Sequence, residues 1–370
     1  MGENLRVDPT ESLLLVESAD VHPGRARRLV VIDLPGLREV AGEYADEVFC
    51  WDDVTADPTP RAAGDPFGEL ADAVRGADLV WMALPKSLGG LDEYAGLVAQ
   101  HADDSVLVLA TGREKFLNRT MNEVLAAHFG SVRASLGRQK SRVLHASSPL
   151  RSPTLSRGWP RSQPNDALSL ELWAHGNTFA GTKPDPGTRL LLDQLPSLAR
   201  DLPDGARVLD LGCGNGTITA TLGRLRPDLD LLASDNSRAA VAATARTVEA
   251  NGVTAQVLLA DGLSGWPDAY LDLVVTNPPF HVGHAKDSSA TLAFFDELPR
   301  VLRPGVQRES AHDKGGQVWC VFNSHLPWRS RLNQVVGPTE MVAQNPKFMV
   351  TRSRLQRGIA SAGAGRAGLE

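Results

Sequence analysis

Arg207-Val208-Leu209-Asp210-Leu211-Gly212-Cys213-Gly214-Asn215-Gly216 is the stretch whose reading decides the fold. Its apolar start, broken by a single acid, reads as a buried parallel strand, and Thr217 to Leu225 reads as the helix after it. The glycines between them permit a tight turn and a close approach of backbone to a ligand, while the helix start presents free amide hydrogens. Gly-x-Gly-x-Gly differs in spacing from the dinucleotide fingerprint Gly-x-Gly-x-x-Gly. Asp210 would also put a carboxylate close to where a pyrophosphate would sit, which is unfavourable.

A cationic or zwitterionic ligand fits that loop better, and S-adenosylmethionine carries an α-ammonium group. Working forward, the strand Leu231 to Ser234 ends in Asp235, about twenty residues beyond the loop, where an acid can bond ribose hydroxyls. Asn236 would flank the adenine. The helix Arg238 to Asn251 closes at Gly252. A third strand, Gln256 to Leu259, ends in Ala260-Asp261-Gly262, whose carboxylate can accept from an adenine amino group. The fourth strand, Leu273 to Thr276, delivers Asn277-Pro278-Pro279-Phe280.

Ligands in open α/β sheets lie beyond the carboxyl ends of the strands. There the Asn277 amide oxygen and the Pro278 carbonyl can accept the two hydrogens of an exocyclic amine, and Phe280 can stack on its ring. Taken singly, each acid is more often an ordinary helix cap, and the tetrapeptide reads equally well as a Pro-rich turn. As an ordered set, these strand ends wrap one adenosyl cofactor and then meet an amine, which is the layout of a methyltransferase.

Working backward, residues 1 to about 147 alternate strand-like and helical runs, which predicts βαβ units and a parallel sheet. The expected strands are Leu13 to Val16, Leu29 to Ile32, Leu79 to Met82 and Val106 to Leu109, with helices over 68–75, 88–100 and 118–128. After the first of these strands stands Glu17-Ser18-Ala19-Asp20 rather than a glycine loop, so this half reads as a nucleotide-fold scaffold without cofactor. From Arg113 to Arg161 the balance turns basic, through Arg119, Arg133, Arg138, Lys140, Arg142 and Arg151 among others. That stretch is either a phosphate-contact surface or a solvated face. Ser147 to Asp166 reads as a linker, Leu168 to Trp173 as a strand, His175 to Gly181 as a turn and return strand, and Pro186 to Leu195 as a helix.

A chain of 370 residues, 42% hydrophobic and 22% charged, suits a soluble protein of two domains. No run approaches the roughly 18 apolar residues of a membrane span, and Met1 to Val21 is acidic where a signal peptide would be basic, so a cytoplasmic protein is expected. Cys50, Cys213 and Cys320 lie too far apart in sequence for a disulfide framework or zinc cluster, so no metal is expected. Net charge of −6 disfavours indiscriminate nucleic-acid binding while leaving room for a local basic face.

Asp210 to Gly216, Asn277-Pro278-Pro279-Phe280-His281, Asn323-Ser324-His325-Leu326, Gly337 and Gln344 to Phe348 together resemble the bacterial ribosomal-RNA guanine-N2 methyltransferases. Leu84 to Ser87 and Phe179-Ala180-Gly181 fit the same family, so the resemblance runs from roughly 80 to 350. It implies an α/β fold of two tandem Rossmann-like domains, the N-terminal one (1–160) a degenerate copy without cofactor and the second (166–355) holding S-adenosylmethionine. It implies a guanine amino group of ribosomal RNA, or of a ribosomal subunit, as acceptor, with a lean to the large-subunit RNA and a monomeric enzyme. Asp210, Gly212 to Gly216, Asp235, Asn236, Asp261, Gly262 and Asn277 would face the cofactor, and Asn277 to Phe280 the reacting amine. His281, Asn323, His325, Arg329, Lys347 and Phe348 are candidate RNA contacts, with Arg331 beside them.

The chain departs from the family's pattern at Val306 to Lys314, which reads as a polar surface insertion, and over its first 75 residues. The Gly/Ala/Arg-rich tail 356–370 is expected to be disordered. Amino-methyltransferases acting on adenine in DNA or on a protein glutamine share an Asn-Pro-Pro-aromatic motif but leave the first half unexplained. A noncatalytic RNA-binding or assembly factor of the same fold would have no physical reason to hold Asp210, Asp235, Asp261 and Asn277 together, and a dehydrogenase is disfavoured by the loop spacing.

Overall fold

The run ending at Leu211 lies mid-sheet, as a strand with apolar residues on both faces must. This computed structural model describes residues 8–151, 158–278, 289–305 and 315–356. In chain order the elements begin with α1 (Pro9–Val21), β1 (Ala26–Ile32), β2 (Ala45–Trp51), β3 (Arg61–Ala62), α2 (Pro66–Val74) and β4 (Leu79–Ala83). After them come α3 (Leu88–His101), β5 (Leu107–Arg113), α4 (Arg119–His128), β6 (Phe129–Ala134), β7 (Ser141–Pro149), β8 (Arg161–Asn165) and β9 (Leu170–Ala174). Next are α5 (Pro186–Leu192), α6 (Leu195–Arg200), β10 (Arg207–Leu211), α7 (Thr217–Leu225), β11 (Asp230–Asp235), α8 (Arg238–Ala250), β12 (Gln256–Leu259) and β13 (Leu273–Thr276). The last are α9 (Ser289–Val301), β14 (Gln317–Asn323), α10 (Trp328–Val335), β15 (Thr339–Gln344) and β16 (Phe348–Arg354).

The chain divides into two units. The first runs to Val54, resumes over Asp65–Arg161 and takes in His175–Asn177; the second holds Thr55–Gly64, Ser162–Ala174 and the chain from Thr178 onward. Against the expected ranges 1–160 and 166–355, the arm 55–64 thus belongs with the second unit and the short segment 175–177 with the first.

In the first unit the sheet order is β2-β1-β4-β5-β7-β6, parallel through β5 and antiparallel beyond it. Leu29, Val31, Leu79, Trp81 and Leu109 form part of its core. One expectation is overturned here: Leu13 to Val16 is not a strand but the middle of α1. Four apolar residues in a row suit either element. The deciding residue is Asp8, whose carboxylate accepts from the Thr10 amide as an N-cap, with Pro9 in the first turn. The first strand is therefore β1, and it leads into Asp33-Leu34-Pro35-Gly36 and two short 3-10 turns, Pro35–Leu37 and Ala41–Glu43.

In the second unit the order is β15-β16-β14-β13-β10-β11-β12-β3. The strands β12, β11, β10, β13 and β14 run parallel, and β16 and β15 close one end antiparallel. Alternation along the strands feeds two cores, as a sheet covered on both faces requires. Leu209, Val274, Val318, Cys320 and Phe322 point to one side, and Val208, Leu273, Val275, Trp319 and Val321 to the other. The expected return strand over His175 to Gly181 does not form; β9 pairs with β8, which precedes it. Positive φ at Ala180 and Gly181 bends this segment out of any extended run. Among the described residues no helix is long and apolar enough to cross a membrane.

Candidate active site

Four parallel neighbours, in the order β13-β10-β11-β12, bring the expected residues to one edge of the sheet. Asp210 is the penultimate residue of β10, Asp235 ends β11, Asp261 comes two residues after β12 and Asn277 directly after β13. Between β10 and α7 the loop turns on Gly212, Gly214 and Gly216, all with positive φ (75°, 56° and 76°). A side chain at any of the three would be strained, and at Gly216 a Cβ would also stand 3.0 Å from the Thr244 backbone. The glycine spacing is thus a backbone requirement of this turn.

Asp210 is buried, with 2% of its surface exposed. One carboxylate oxygen accepts from the Thr219 amide (3.1 Å) and hydroxyl (2.6 Å) in α7. The other, Oδ1, is buried without a partner. Burial pushes this carboxyl up to about 7, opposed by the two Thr219 bonds and helped by the nearby Asp235 charge. A buried acid with one unmet oxygen is a place where a cationic donor gains most.

Asp235 is half-buried and braces the loop: Oδ2 accepts from the Gly214 amide at 3.1 Å and Oδ1 from the Ser237 amide at 3.0 Å. Asn236 donates through Nδ2 to Asp261 Oδ1 at 3.0 Å, which links the ends of β11 and β12. Asp261 itself is exposed, and Gly262 beside it has φ of 64°. Cys213 is buried, its thiol pushed far up by desolvation, and it accepts from the Thr244 hydroxyl; it behaves as packing. Asn215 bonds across the cleft, donating to the Gly181 carbonyl at 2.8 Å and accepting from the Thr217 hydroxyl at 2.6 Å. Asn215 thereby holds the Phe179 to Gly181 segment as one wall of a cleft whose other walls are the glycine loop, Asp185 and Asn277.

Asn277 is held through its nitrogen. Nδ2 donates to Asp185 Oδ2 (2.6 Å) and to Thr188 Oγ1 (2.9 Å), and Oδ1 is buried and unpartnered. The Asp185 carboxylate, which also accepts from the Gly187 and Thr188 amides, takes the nitrogen side of the Asn277 amide. The oxygen is therefore fixed as a lone acceptor at the strand end. Asp185 also caps α5, accepting from the Gly187 and Thr188 amides. Sequence reasoning missed Asp185, Thr188 and Thr219; the first two were legible as the N-cap pattern Asp185-Pro186-Gly187-Thr188, but nothing in the sequence ties that helix to Asn277.

Pro278 is buried beside Asn277, and Pro279, Phe280 and His281 lie outside the described residues, as do the expected insertion 306–314 and most of the tail. Asn323 ends β14 opposite Phe348 on β16. His325, Arg329 and Lys347 are exposed, Arg329 donating to the Thr339 carbonyl at 3.4 Å. Arg331 is paired with Asp296. Phe348 corrects the expectation of an RNA contact: it is 8% exposed, sits in the apolar core, and its ring lies 3.1 Å from where a Cβ on Gly187 would stand. Its side of β16 faces inward, and a strand offers only one exposed face.

Two family models match the chain, a methyltransferase small domain over residues 169–352 and an RLMG N-terminal domain over 60–149. The ribosomal RNA large subunit methyltransferase G of Streptomyces coelicolor is 34% identical over 75% of this chain and 71% of its own length. The protein of the same name from Stutzerimonas stutzeri is 32% identical over 80% of this chain and 73% of its own. Among solved structures, the T. thermophilus 16S rRNA N2 methyltransferase in complex with AdoMet and guanosine covers 96% of this chain and 94% of its own, with a TM-score of 0.73. Its identity of 24% makes that a likeness of fold.

Proposed function

Because the chain belongs to the family of the ribosomal RNA large subunit methyltransferase G proteins, we propose that it transfers a methyl group from S-adenosylmethionine to the exocyclic N2 amine of one guanine in ribosomal RNA, with the large-subunit RNA favoured. Membership in an rRNA methyltransferase family sets aside adenine in DNA and protein glutamine as acceptors. The observation that carries the reading is a pair of buried, unpartnered acceptors, Asp210 Oδ1 and Asn277 Oδ1, on adjacent strand ends around one glycine loop. Asp210, the loop Gly212 to Gly216, Asp235, Asn236, Asp261 and Gly262 would hold the cofactor, whose sulfonium supplies the methyl group. The donor set fits it: an unmet carboxylate oxygen for an ammonium, and carboxylates at the next two strand ends for ribose hydroxyls and an adenine amine.

The guanine amine is a poor nucleophile because its lone pair is delocalised into the ring. Asn277 Oδ1 and the Pro278 carbonyl accept its two hydrogens and favour a pyramidal nitrogen, while Phe280 stacks on the base. Asp185 and Thr188 fix the Asn277 amide for this role. Proximity and alignment can contribute about 7 to 11 kcal/mol, and no strong base is needed because the amine becomes acidic once methylated. His325, exposed just after β14, Lys347, exposed in the β15–β16 turn, and Arg329, exposed on α10, are proposed RNA contacts along with Asn323 and His281.

The first unit is proposed to be a degenerate copy of the second that positions RNA and takes no cofactor. Support comes from the winding. The orders β2-β1-β4-β5-β7-β6 and β11-β10-β13-β14-β16-β15 correspond strand for strand, with the same change from parallel to antiparallel. Where the second unit has its glycine loop and α7, the first has the two 3-10 turns. Asp33, just after β1, has both oxygens engaged, by the Asp53 amide at 2.7 Å and the Tyr94 hydroxyl at 3.1 Å, unlike Asp210. Mass-spectrometric mapping of 2-methylguanosine in ribosomal RNA from a strain lacking the protein tests the function: one guanine should lose its methyl group, and an unchanged map would refute the reading.

A further inference from the structure

The arm 55–64 lies between β2 and α2 in the chain, yet it is part of the second unit. If β1, β2 and β4 correspond to β10, β11 and β13, then β3 stands where a counterpart of β12 would be; it pairs antiparallel with β12 itself, Arg61 opposite Leu259 and Ala62 opposite Leu258. The arm's earlier residues reach the two loops that carry Asn236 and Asp261. The Thr55 amide donates to the Asn236 carbonyl at 2.9 Å, and the Asp261 amide donates to the Asp57 carbonyl at 2.9 Å. Thr55 and Asp57 are held in step by the Asp57 amide, which donates to Thr55 Oγ1 at 3.1 Å. The Asp57 carboxylate in turn accepts from the Thr59 amide at 2.9 Å and pairs with Arg61. At Gly265 the arm comes so close that an added Cβ would stand 2.3 Å from the Pro58 carbonyl oxygen.

From these contacts we infer that the arm 55–61 is a positioning element for adenine recognition, fixing the backbones of Asn236 and Asp261 so that their side chains present one set of groups to the base. The inference rests on the S-adenosylmethionine reading above. Both loops leave edge-ward strands, and Asp261 is exposed; on the sheet side the Ala260 amide donates to the Asp235 carbonyl at 3.0 Å and the Ser237 amide to Asp235 Oδ1 at 3.0 Å, while the Asn236 carbonyl and the Asp261 amide are bonded to the arm. The two backbone bonds from the arm and the Asn236–Asp261 side-chain bond close a ring of contacts around the Asn236 carbonyl and the Asp261 amide. A carboxylate so placed accepts from the amino group of adenine and repels the carbonyl oxygen of hypoxanthine, so the arm's effect is on which base is held.

The test is calorimetric affinity of the full chain for S-adenosylhomocysteine and for its inosine analogue. Gly265→Ala pushes the arm away from a position whose own backbone tolerates alanine, and Thr55→Pro removes the amide bonded to Asn236; neither touches a group proposed to contact the ligand. The wild-type protein is expected to prefer the adenosyl compound by roughly tenfold or more. Each variant should lose most of that preference while keeping its circular dichroism and thermal transition. A retained preference in both folded variants overturns the inference, and so does an equal loss of affinity for both compounds, which would make the arm merely structural. If the wild-type protein binds neither compound, the cofactor reading fails and the inference with it.

Discussion

Asn277 has its nitrogen committed to Asp185 and Thr188 and its oxygen committed to nothing in the protein. On the proposed mechanism, Asn277→Ala should lower the single-turnover rate by about 10²- to 10³-fold, the scale of losing one placed transition-state partner, with a much smaller change in cofactor affinity. Asp185→Asn keeps the helix cap but gives Asn277 a weaker acceptor, and should cost about tenfold in the same rate. Asp210 makes a pH prediction. Its folded value near 7 lies above the ordinary 3.8, so the folded state holds the proton more tightly than the unfolded chain. Its contribution to stability is full below about 4 and is lost as pH rises through about 7. A bound ammonium reverses the preference, so S-adenosylmethionine affinity should tighten as pH rises from about 5.5 to 7.5. Calorimetry across that range checks it, and Asp210→Asn should both weaken binding and flatten the slope.

At the scale of elements, the glycine loop was the most legible part of the chain because its requirement is local: three positive-φ positions after a buried strand. Gly216→Ala should therefore destabilise the protein by about 1 to 3 kcal/mol, read as a lowered midpoint in chemical denaturation. The strands and helices of the second unit were legible for the same reason, from Arg207–Leu211 through Leu273–Thr276. The features that escaped were non-local or ambiguous. Leu13 to Val16 suits a strand until Asp8 and Pro9 are read as a helix start. The His175 to Gly181 segment reads as a turn and return strand after the alternating run Leu168 to Trp173, but its backbone turns instead of pairing. Phe348 looked like a surface aromatic beside Lys347, and only the pairing of β16 with β14 shows which face of the strand it is on. Asp185 belongs to the site through a contact across ninety-odd residues, which no spacing in the sequence reveals.

At the scale of the molecule, the basic stretch of the first half resolves into two kinds of residue. Arg113, Arg142 and Arg151 are paired with Asp8, Glu114 and Asp104. Arg133, Arg138 and Lys140, on and beside β6 and β7, are exposed and enter none of the ion pairs found among the described residues. If the first unit positions RNA, replacing these three with alanine should weaken RNA binding and reduce the slope of log affinity against log salt by about 2 to 3, as measured by filter binding; an unchanged slope would remove them from the interface. The passage of 55–64 to the second sheet was not foreseen, because two residues of edge pairing leave no pattern in a sequence. The central claim is most directly tested by incubating the purified protein with isotopically labelled S-adenosylmethionine and protein-free large-subunit or small-subunit ribosomal RNA, then digesting the RNA to nucleosides. Label is expected in 2-methylguanosine from large-subunit RNA, appearing about 10²- to 10³-fold more slowly with Asn277→Ala; label in a methylated adenosine or in a ring-nitrogen methylguanosine would contradict the proposed reaction.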